Sequence, residues 1–299
     1  MNRIEIKQVS KKFGSFQALN NIEFEVKEGE VYGFIGPNGA GKSTTIRILL
    51  GIIQATSGHA TIFGKDVWKD AVDIHRKVAY VPGDVNLWNN LTGGEIIDTF
   101  LSLKGQLNKT KRDHLIDLFQ LDPKKKAGTY SKGNRQKVAL ISAFASESDL
   151  FILDEPTSGL DPLMEKVFQQ CVEEVKQQGK SVLLSSHILS EVEKLCDKVG
   201  IIRKGEMIES GTLDELRHLT RTNIRVETEK SASILEDVPG VHHLFLDQGV
   251  YYFQADTERL SQVMKELSQL GIKRIESNPP TLEDLFMRHY HSEEQLNKE

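Results

Sequence analysis

Residues 36–44 read GPNGAGKST, a full G-x-x-x-x-G-K-[ST] pattern, directly after the apolar run Val31-Tyr32-Gly33-Phe34-Ile35 and at the head of a helical run from Lys42 to Leu50. This arrangement demands a buried strand that feeds a tight turn, and a helix that begins where the turn ends. In such a turn Gly36, Pro37, Asn38, Gly39, Ala40 and Gly41 curl consecutive backbone N–H groups around phosphate oxygens, and the helix adds its positive end. Lys42 then reaches the β- and γ-phosphates, Ser43 places a hydroxyl on a magnesium ion, and Thr44 donates to the α-phosphate. The bland alternative is a glycine-rich turn with no ligand, and the strand and helix on either side argue against it.

The chain has 299 residues, enough for a large α/β domain and a smaller second one. No apolar stretch approaches the ~18 residues of a membrane-spanning helix. The N-terminal MNRIEIKQVSKKF lacks the apolar centre of a signal peptide, so a cytoplasmic location is expected. Thirty-eight basic against 43 acidic residues leave a formal charge of -5, which argues against nucleic acid as a main partner. Cys171 and Cys196 show no metal-ligand spacing and read as reduced, buried thiols.

Around the phosphate loop, Ile4–Val9 and Ile22–Val26 alternate apolar and polar side chains as half-buried strands do. Ala60–Phe63, Lys77–Val81, Leu150–Leu153, Ser181–Leu184 and Val199–Ile202 are further strand candidates, and a hairpin from Ile202 to Ile208 turns at Lys204-Gly205. Residues 89–147 have a helical period instead. Ile96, Ile97, Phe100 and Leu101 form one stripe. Thr110 and Asp113 read as a capping box before Leu115, Leu118 and Phe119, and Val138, Ile141 and Ala145 mark a third helix. This segment is expected to be a helical subdomain inserted into the sheet domain.

After a polar helix at Leu213–Leu219 the pattern restarts near Thr220 to Asn223. Residues 1–220 are therefore assigned to an α/β nucleotide-binding domain and 221–299 to a small α+β domain. In the latter, Ile224, Val226 and Thr228 alternate, as do Tyr251, Phe253 and Ala255, while Leu260, Val263, Met264 and Leu267 make a helical stripe. A last helix capped by Thr281 would pack Leu282, Leu285 and Phe286, ahead of a polar tail from Ser292. His242 and His243 have no ligand partners at regular spacing and read as non-metal residues.

The second chemical constellation is Leu150-Phe151-Ile152-Leu153-Asp154-Glu155, a buried strand that ends in two carboxylates. Asp154 suits a magnesium ion held through its water shell, and Glu155 suits the orientation of an attacking water. Neighbours on a strand face opposite ways, so the two carboxylates should not share one role. Asp161, at the end of the turn Ser158-Gly159-Leu160-Asp161, can cap a helix that starts at Pro162. His187 follows the strand Val182-Leu183-Leu184 and is either structural or close enough to a strand end to meet a γ-phosphate. Ser131 in Tyr130-Ser131-Lys132-Gly133-Asn134-Arg135-Gln136 can cap another helix, whose N-terminus offers a second phosphate site. One nucleotide does not need two such sites in one chain, so the economical reading gives the second to another copy.

Together these motifs give residues 2–220 a resemblance to the ATP-binding subunit of ABC transporters. GPNGAGKST resembles the family P-loop, YSKGNRQ its signature motif, LFILDEP its magnesium and base motif, SGLD its D-loop and His187 its switch histidine. The resemblance implies an α/β P-loop domain of ABC type with an inserted helical subdomain, plus the small C-terminal α+β domain. It also implies a homodimer around two ATP with Mg2+, in which Lys42, Glu155 and His187 serve hydrolysis and Ser131, Gly133 and Asp161 contribute to the nucleotide sites. Phe13 matches the aromatic that stacks on adenine, with sheet packing as the alternative.

Two departures from the family pattern stand out. Lys132 and Asn134 replace a glycine and the glutamine of the signature, while the cap and backbone N–H groups are kept. Gly83 stands where the family usually has a glutamine that contacts magnesium; Asp84 is the nearest oxygen donor, and water is the alternative. The ending NPPTLEDLFMRHY resembles the extension of a subgroup that pairs with separate ABC-2-type membrane permeases, often exporters. By that likeness, Asn86–Glu95 would face the permease, and the chain would sit peripherally on the inner face of the cell membrane. The competing classes are a soluble ABC-type ATPase acting on ribosomes or DNA, and a regulatory nucleotide-binding module with little turnover.

Overall fold

The computed structural model describes residues 1–105, 107–218 and 221–278. The chain divides into two compact units, Met1–Ser210 and the part from Gly211 onward. The division falls ten residues before the boundary assigned at 220/221. The sequence boundary was drawn where alternation restarts, but the polar helix ahead of that point belongs to the second unit.

The chain begins with β1 (Asn2–Phe13), β2 (Phe16–Lys27), β3 (Val31–Ile35), α1 (Lys42–Leu49), β4 (Ser57–Ile62), β5 (Lys65–Asp66), α2 (Ala71–His75) and β6 (Val78–Val81). Then come α3 (Gly93–Leu103), α4 (Lys109–Leu118) and α5 (Lys132–Phe144), followed by β7 (Leu150–Asp154), α6 (Pro162–Gln177), β8 (Ser181–Ser186) and α7 (Leu189–Leu195). A hairpin of β9 (Lys198–Arg203) and β10 (Glu206–Thr212) completes the larger sheet.

One sheet is antiparallel, in the order β2-β1-β4-β5. The other has the order β10-β9-β3-β8-β7-β6, with parallel pairing from β9 to β6. Apolar side chains from both, among them Ile4, Ile22, Phe24, Tyr32, Phe34, Ile152 and Leu183, share one buried core with Ile46 of α1. β3, β7 and β8 are buried along their whole length. This is the continuous apolar reading expected of strands covered on both faces.

Close approach explains one glycine in this core. A Cβ on Gly33 would lie 2.6 Å from a Val192 methyl and 2.9 Å from the Cys196 sulfur, so α7 can rest on β3 only where that side chain is missing. Cys171 and Cys196 are both free and buried, and burial pushes the Cys171 thiol up to about 12. Such thiols stay protonated and unreactive.

β1 and β2 are each twelve residues long, about twice the read length. Gln8 and Asn21 adopt left-handed φ angles of 49° and 48°, and the β1–β2 register shifts between Ile6 and Val9. Such bulges interrupt the alternation that marks a strand. The cap of α4 is Asn108, whose side chain accepts from the Lys111 N–H, and not Thr110. Asn and Thr both cap well, so residue type did not separate them. A full capping box exists instead at Thr92 and Glu95, at the head of α3.

In the second unit α8 (Leu213–His218) precedes β11 (Arg221–Thr228), β12 (Val241–Asp247), β13 (Val250–Asp256), α9 (Leu260–Gln269) and β14 (Ile272–Asn278). The strands form an antiparallel sheet in the order β12-β13-β11-β14. Ile224, Val226, Phe253 and Ala255 bury one face against Val263 and Leu267 of α9. His242 pairs with Asp256 at 3.0 Å, beside Arg221. The helix expected at Thr281 with Leu282, Leu285 and Phe286, and the tail from Ser292, lie outside the described residues.

Candidate functional site

Strand register assembles the site. β3 lies between β9 and β8, and β8 is followed by β7 and β6. Ile35 stands opposite Ser186, Asp154 opposite Ser185, and Val81 opposite Leu153. The loops leaving these strands begin side by side at their carboxyl ends, where ligands of open parallel sheets bind.

The phosphate loop needs its glycines. A Cβ on Gly36 would lie 2.2 Å from the Ile202 carbonyl oxygen, and one on Gly41 2.6 Å from a Leu19 methyl. Gly39 and Gly41 have φ of 80° and 117°. Pro37 is half-buried, Asn38 and Ser43 are exposed, Ala40 is buried and Thr44 is half-buried. Lys42 is 6% exposed, and its ammonium donates to the Gly36 carbonyl at 2.6 Å and the Pro37 carbonyl at 3.3 Å, inside the loop. Burial lowers its pKa and the Glu155 carboxylate opposes that shift.

Glu155 lies one residue past the end of β7, with a left-handed φ of 46°. Its N–H donates to the Ser185 carbonyl at 3.0 Å. One carboxylate oxygen is 3.5 Å from Lys42 Nζ, and the other is 3.4 Å from His187 Nδ1. A non-glycine residue in this conformation is held there by its surroundings, a pattern common at functional sites. Asp154 is buried instead and accepts from the Ser185 hydroxyl. The two carboxylates therefore have separate environments, and the left-handed turn at Glu155, not strand alternation, sets them apart.

The other expected residues form a second cluster. Ser131 caps α5 by accepting from the Asn134 N–H at 3.3 Å, and Asp161 caps α6 by accepting from Leu163 and Met164. Gly133 sits so close to the 156–159 turn that its Cβ would be 2.4 Å from the Gly159 carbonyl oxygen. Lys132 Nζ donates to the Ser158 hydroxyl at 2.6 Å, and Gln136 to the Pro156 carbonyl at 2.9 Å. Among the described residues no hydrogen bond or ion pair joins Ser131, Gly133 or Asp161 to the phosphate loop. Phe13 closes the β1–β2 hairpin opposite Phe16, is 49% exposed, and has the Lys11 ammonium 5.0 Å from its ring centroid.

Asp84 is exposed and has no hydrogen bond or ion pair among the described residues. Gly83 beside it faces the end of β7, where a Cβ would lie 3.3 Å from the Asp154 carbonyl oxygen. No group of three or more His, Cys, Asp or Glu among the described residues could hold a metal ion alone. A nucleotide-bound magnesium ion fits this donor set, because it takes one or two hard oxygen ligands from protein and the rest from phosphate and water.

The sequence reading missed Ser185, Ser186, Thr157 and Glu191. Ser185 and Ser186 join the strand Val182-Leu183-Leu184 to His187, and Thr157 precedes the turn read at Ser158–Asp161. Glu191 is 6% exposed on α7; burial raises its pKa, opposed by hydrogen bonds from Ser186 and Thr157. Its one sequence signal is an acid four residues after His187 among apolar neighbours.

Known proteins resemble the chain in sequence and fold. The ABC transporter family profile matches residues 19–158, and that of the DrrA1-3-like ATP-binding protein C-terminal domain matches residues 211–290. The bacitracin transport ATP-binding protein BcrA of Bacillus licheniformis is 32% identical over 295 residues, covering 95% of this chain and 96% of BcrA. A solved ATP-binding subunit of an ABC transporter matches at TM-score 0.67 and 33% identity, over 72% of this chain and 92% of that one. The ATP-binding cassette MJ0796, solved as a dimer in a post-hydrolysis state with ADP and phosphate, matches at TM-score 0.65 and 26% identity, over 70% of this chain and 98% of that one. Matched over nearly its whole length at this identity, the chain belongs to the ATP-binding subunits of ABC transporters.

Proposed function

We propose that two copies of the chain close around two ATP molecules and that this cycle drives a separate ABC-2-type membrane permease. The observation that supports this most is the convergence of Lys42, Glu155 and His187 at neighbouring ends of one parallel sheet. Lys42 leaves the loop carbonyls for the β- and γ-phosphates, and the backbone N–H groups of 36–44 hold the rest. Glu155 polarises the water that attacks the γ-phosphate, and His187 donates to that phosphate and keeps the carboxylate oriented. Phe13 stacks on the adenine. Ser131 and Gly133, with Asp161 fixing the turn beside them, serve the nucleotide of the partner copy. Ser43 and Asp154 hold Mg2+, which when bound neutralises charge developing on the β- and γ-phosphates.

Asp84 takes the part of the absent glutamine in this reading. Asp84→Ala is expected to lower kcat severalfold and leave the Kd for Mg-ATP within about twofold, because the loop aligns the closed state more than it binds the ground state. Steady-state hydrolysis beside equilibrium titration checks this; a wild-type rate assigns the position to water.

The permease contact is proposed for a groove of about 950 Å3 between the sheet and the helical insert, with Tyr80, Val85, Leu87, Phe100 and Leu103 among its lining. Leu103 is 78% exposed, and Trp88, 51% exposed, rests 5.7 Å from Phe100. Apolar surface of this kind marks an interaction site. No helix among the described residues is long and apolar enough to cross a membrane. The chain expressed alone should therefore stay in the supernatant, and sediment with membranes when co-expressed with its permease. Leu103→Glu should weaken that sedimentation. Firm membrane association without any permease would overturn the proposal.

A further inference from the structure

We propose that Glu191 is a positioning residue which ties the His187 turn to the 156–159 turn, so that the loop reaching toward a partner copy and the histidine beside the catalytic carboxylate move as one. This rests on the assignment of Glu155 and His187 to the hydrolytic step.

One oxygen of Glu191 collects two hydroxyls, one from the last residue of β8 and one from the 156–159 turn. Ser186 Oγ donates to Oε2 at 2.9 Å and Thr157 Oγ1 donates to the same atom at 3.4 Å. The Ser186 oxygen in turn accepts from the Ile188 N–H at 3.0 Å, which closes the backbone around His187. On the other side, the Ser158 N–H donates to the Glu155 carbonyl at 3.1 Å and the Leu160 N–H to the Thr157 carbonyl at 3.0 Å, so Thr157 sits within the turn that Glu155 starts. His187 then returns to the Glu155 carboxylate at 3.4 Å. The connection is a closed ring: Glu155, Thr157, Glu191, Ser186, His187 and Glu155 again.

A carboxylate is a costly choice for an anchor here. The second oxygen, Oε1, is buried with no hydrogen-bond partner, and an unpaired buried polar atom opposes folding. A leucine would anchor α7 against the core without that cost. What leucine lacks is an acceptor able to take both hydroxyls at once. The 156–159 turn follows β7 and Ser186 ends the adjacent β8, so Glu191 adds a side-chain link between them to the one that Glu155 makes with His187. The α5 end adds a second hold on the 156–159 turn through Lys132 and Gln136, leaving Thr157 as the link toward His187.

The test is a double-mutant cycle on the full chain with Thr157→Val and Ser186→Ala, each of which removes one hydroxyl and keeps most of the volume. Each single change is expected to lower kcat by roughly 3- to 10-fold with KM for Mg-ATP within about twofold. The double variant should be little worse than either single, because both cut the same ring. Glu191→Gln keeps the acceptor and should retain most of the rate, whereas Glu191→Leu should match the double variant. Melting temperatures measured in parallel separate a loss of turnover from a loss of fold. Additive single effects, or wild-type kcat in both single variants, would overturn the role of Glu191 even if Glu191→Leu does not fold. Those outcomes leave the reading of Glu155 and His187 standing, since that reading falls only if Glu155→Gln turns over normally.

Discussion

Replacing Glu155 by glutamine is expected to lower ATP turnover by about 10^2- to 10^4-fold, the range for loss of a positioned general base. Volume and one acceptor are kept, so the left-handed turn at this residue should survive. What disappears is the negative charge now 3.5 Å from Lys42 and 3.4 Å from His187. Its removal takes a repulsive charge away from the place where the γ-phosphate is expected. ATP should therefore remain bound, and the closed dimer should accumulate by linkage between nucleotide binding and association. Light scattering with ATP should report twice the monomer mass for the variant. Normal turnover, or a monomer at every ATP concentration tested, would remove the shared-site mechanism.

Lys42→Ala should weaken Mg-ATP binding by about 10- to 150-fold, which corresponds to loss of one charge-assisted hydrogen bond of ~1.5–3 kcal/mol. The ammonium is nearly buried and is already held by two loop carbonyls, so it is preorganised beside the phosphate cradle. Alanine would also leave Glu155 without its cationic neighbour, which adds to the loss on the side of the closed state. Isothermal titration is the direct measurement, and an unchanged Kd would contradict the role given to Lys42. Comparing the two variants separates charge used to hold ATP from charge used to break it.

Several elements were legible because their causes are local. The phosphate loop depends on glycines, a lysine and a hydroxyl at fixed spacing. β3 spans Val31–Ile35 as read, since a short continuous apolar run leaves little choice of boundary. The Lys204-Gly205 turn has left-handed φ angles of 49° and 82°, the geometry that tight hairpins require. Asp161 and Ser131 cap their helices as their residue types and positions imply. Less local features were blurred. The long strands β1 and β2 were half seen because bulges break their period, and the α4 cap was placed on the wrong one of two suitable residues.

By itself the sequence determined that the chain carries a phosphate loop, a buried strand leading into two adjacent carboxylates and a helix cap of signature type, because each is a short pattern whose chemistry is written in adjacent residues. Only the tertiary structure decided that Lys42, Glu155 and His187 meet, since that depends on β8 pairing between β3 and β7 in a register that puts Ile35 beside Ser186 and Asp154 beside Ser185. It alone showed that Gly83 faces Asp154, that Lys132 reaches Ser158, and that Glu191 receives the hydroxyls of Ser186 and Thr157. Those contacts join residues far apart along the chain, and their geometry is set by sheet register and helix packing, to which no single stretch of sequence is sufficient.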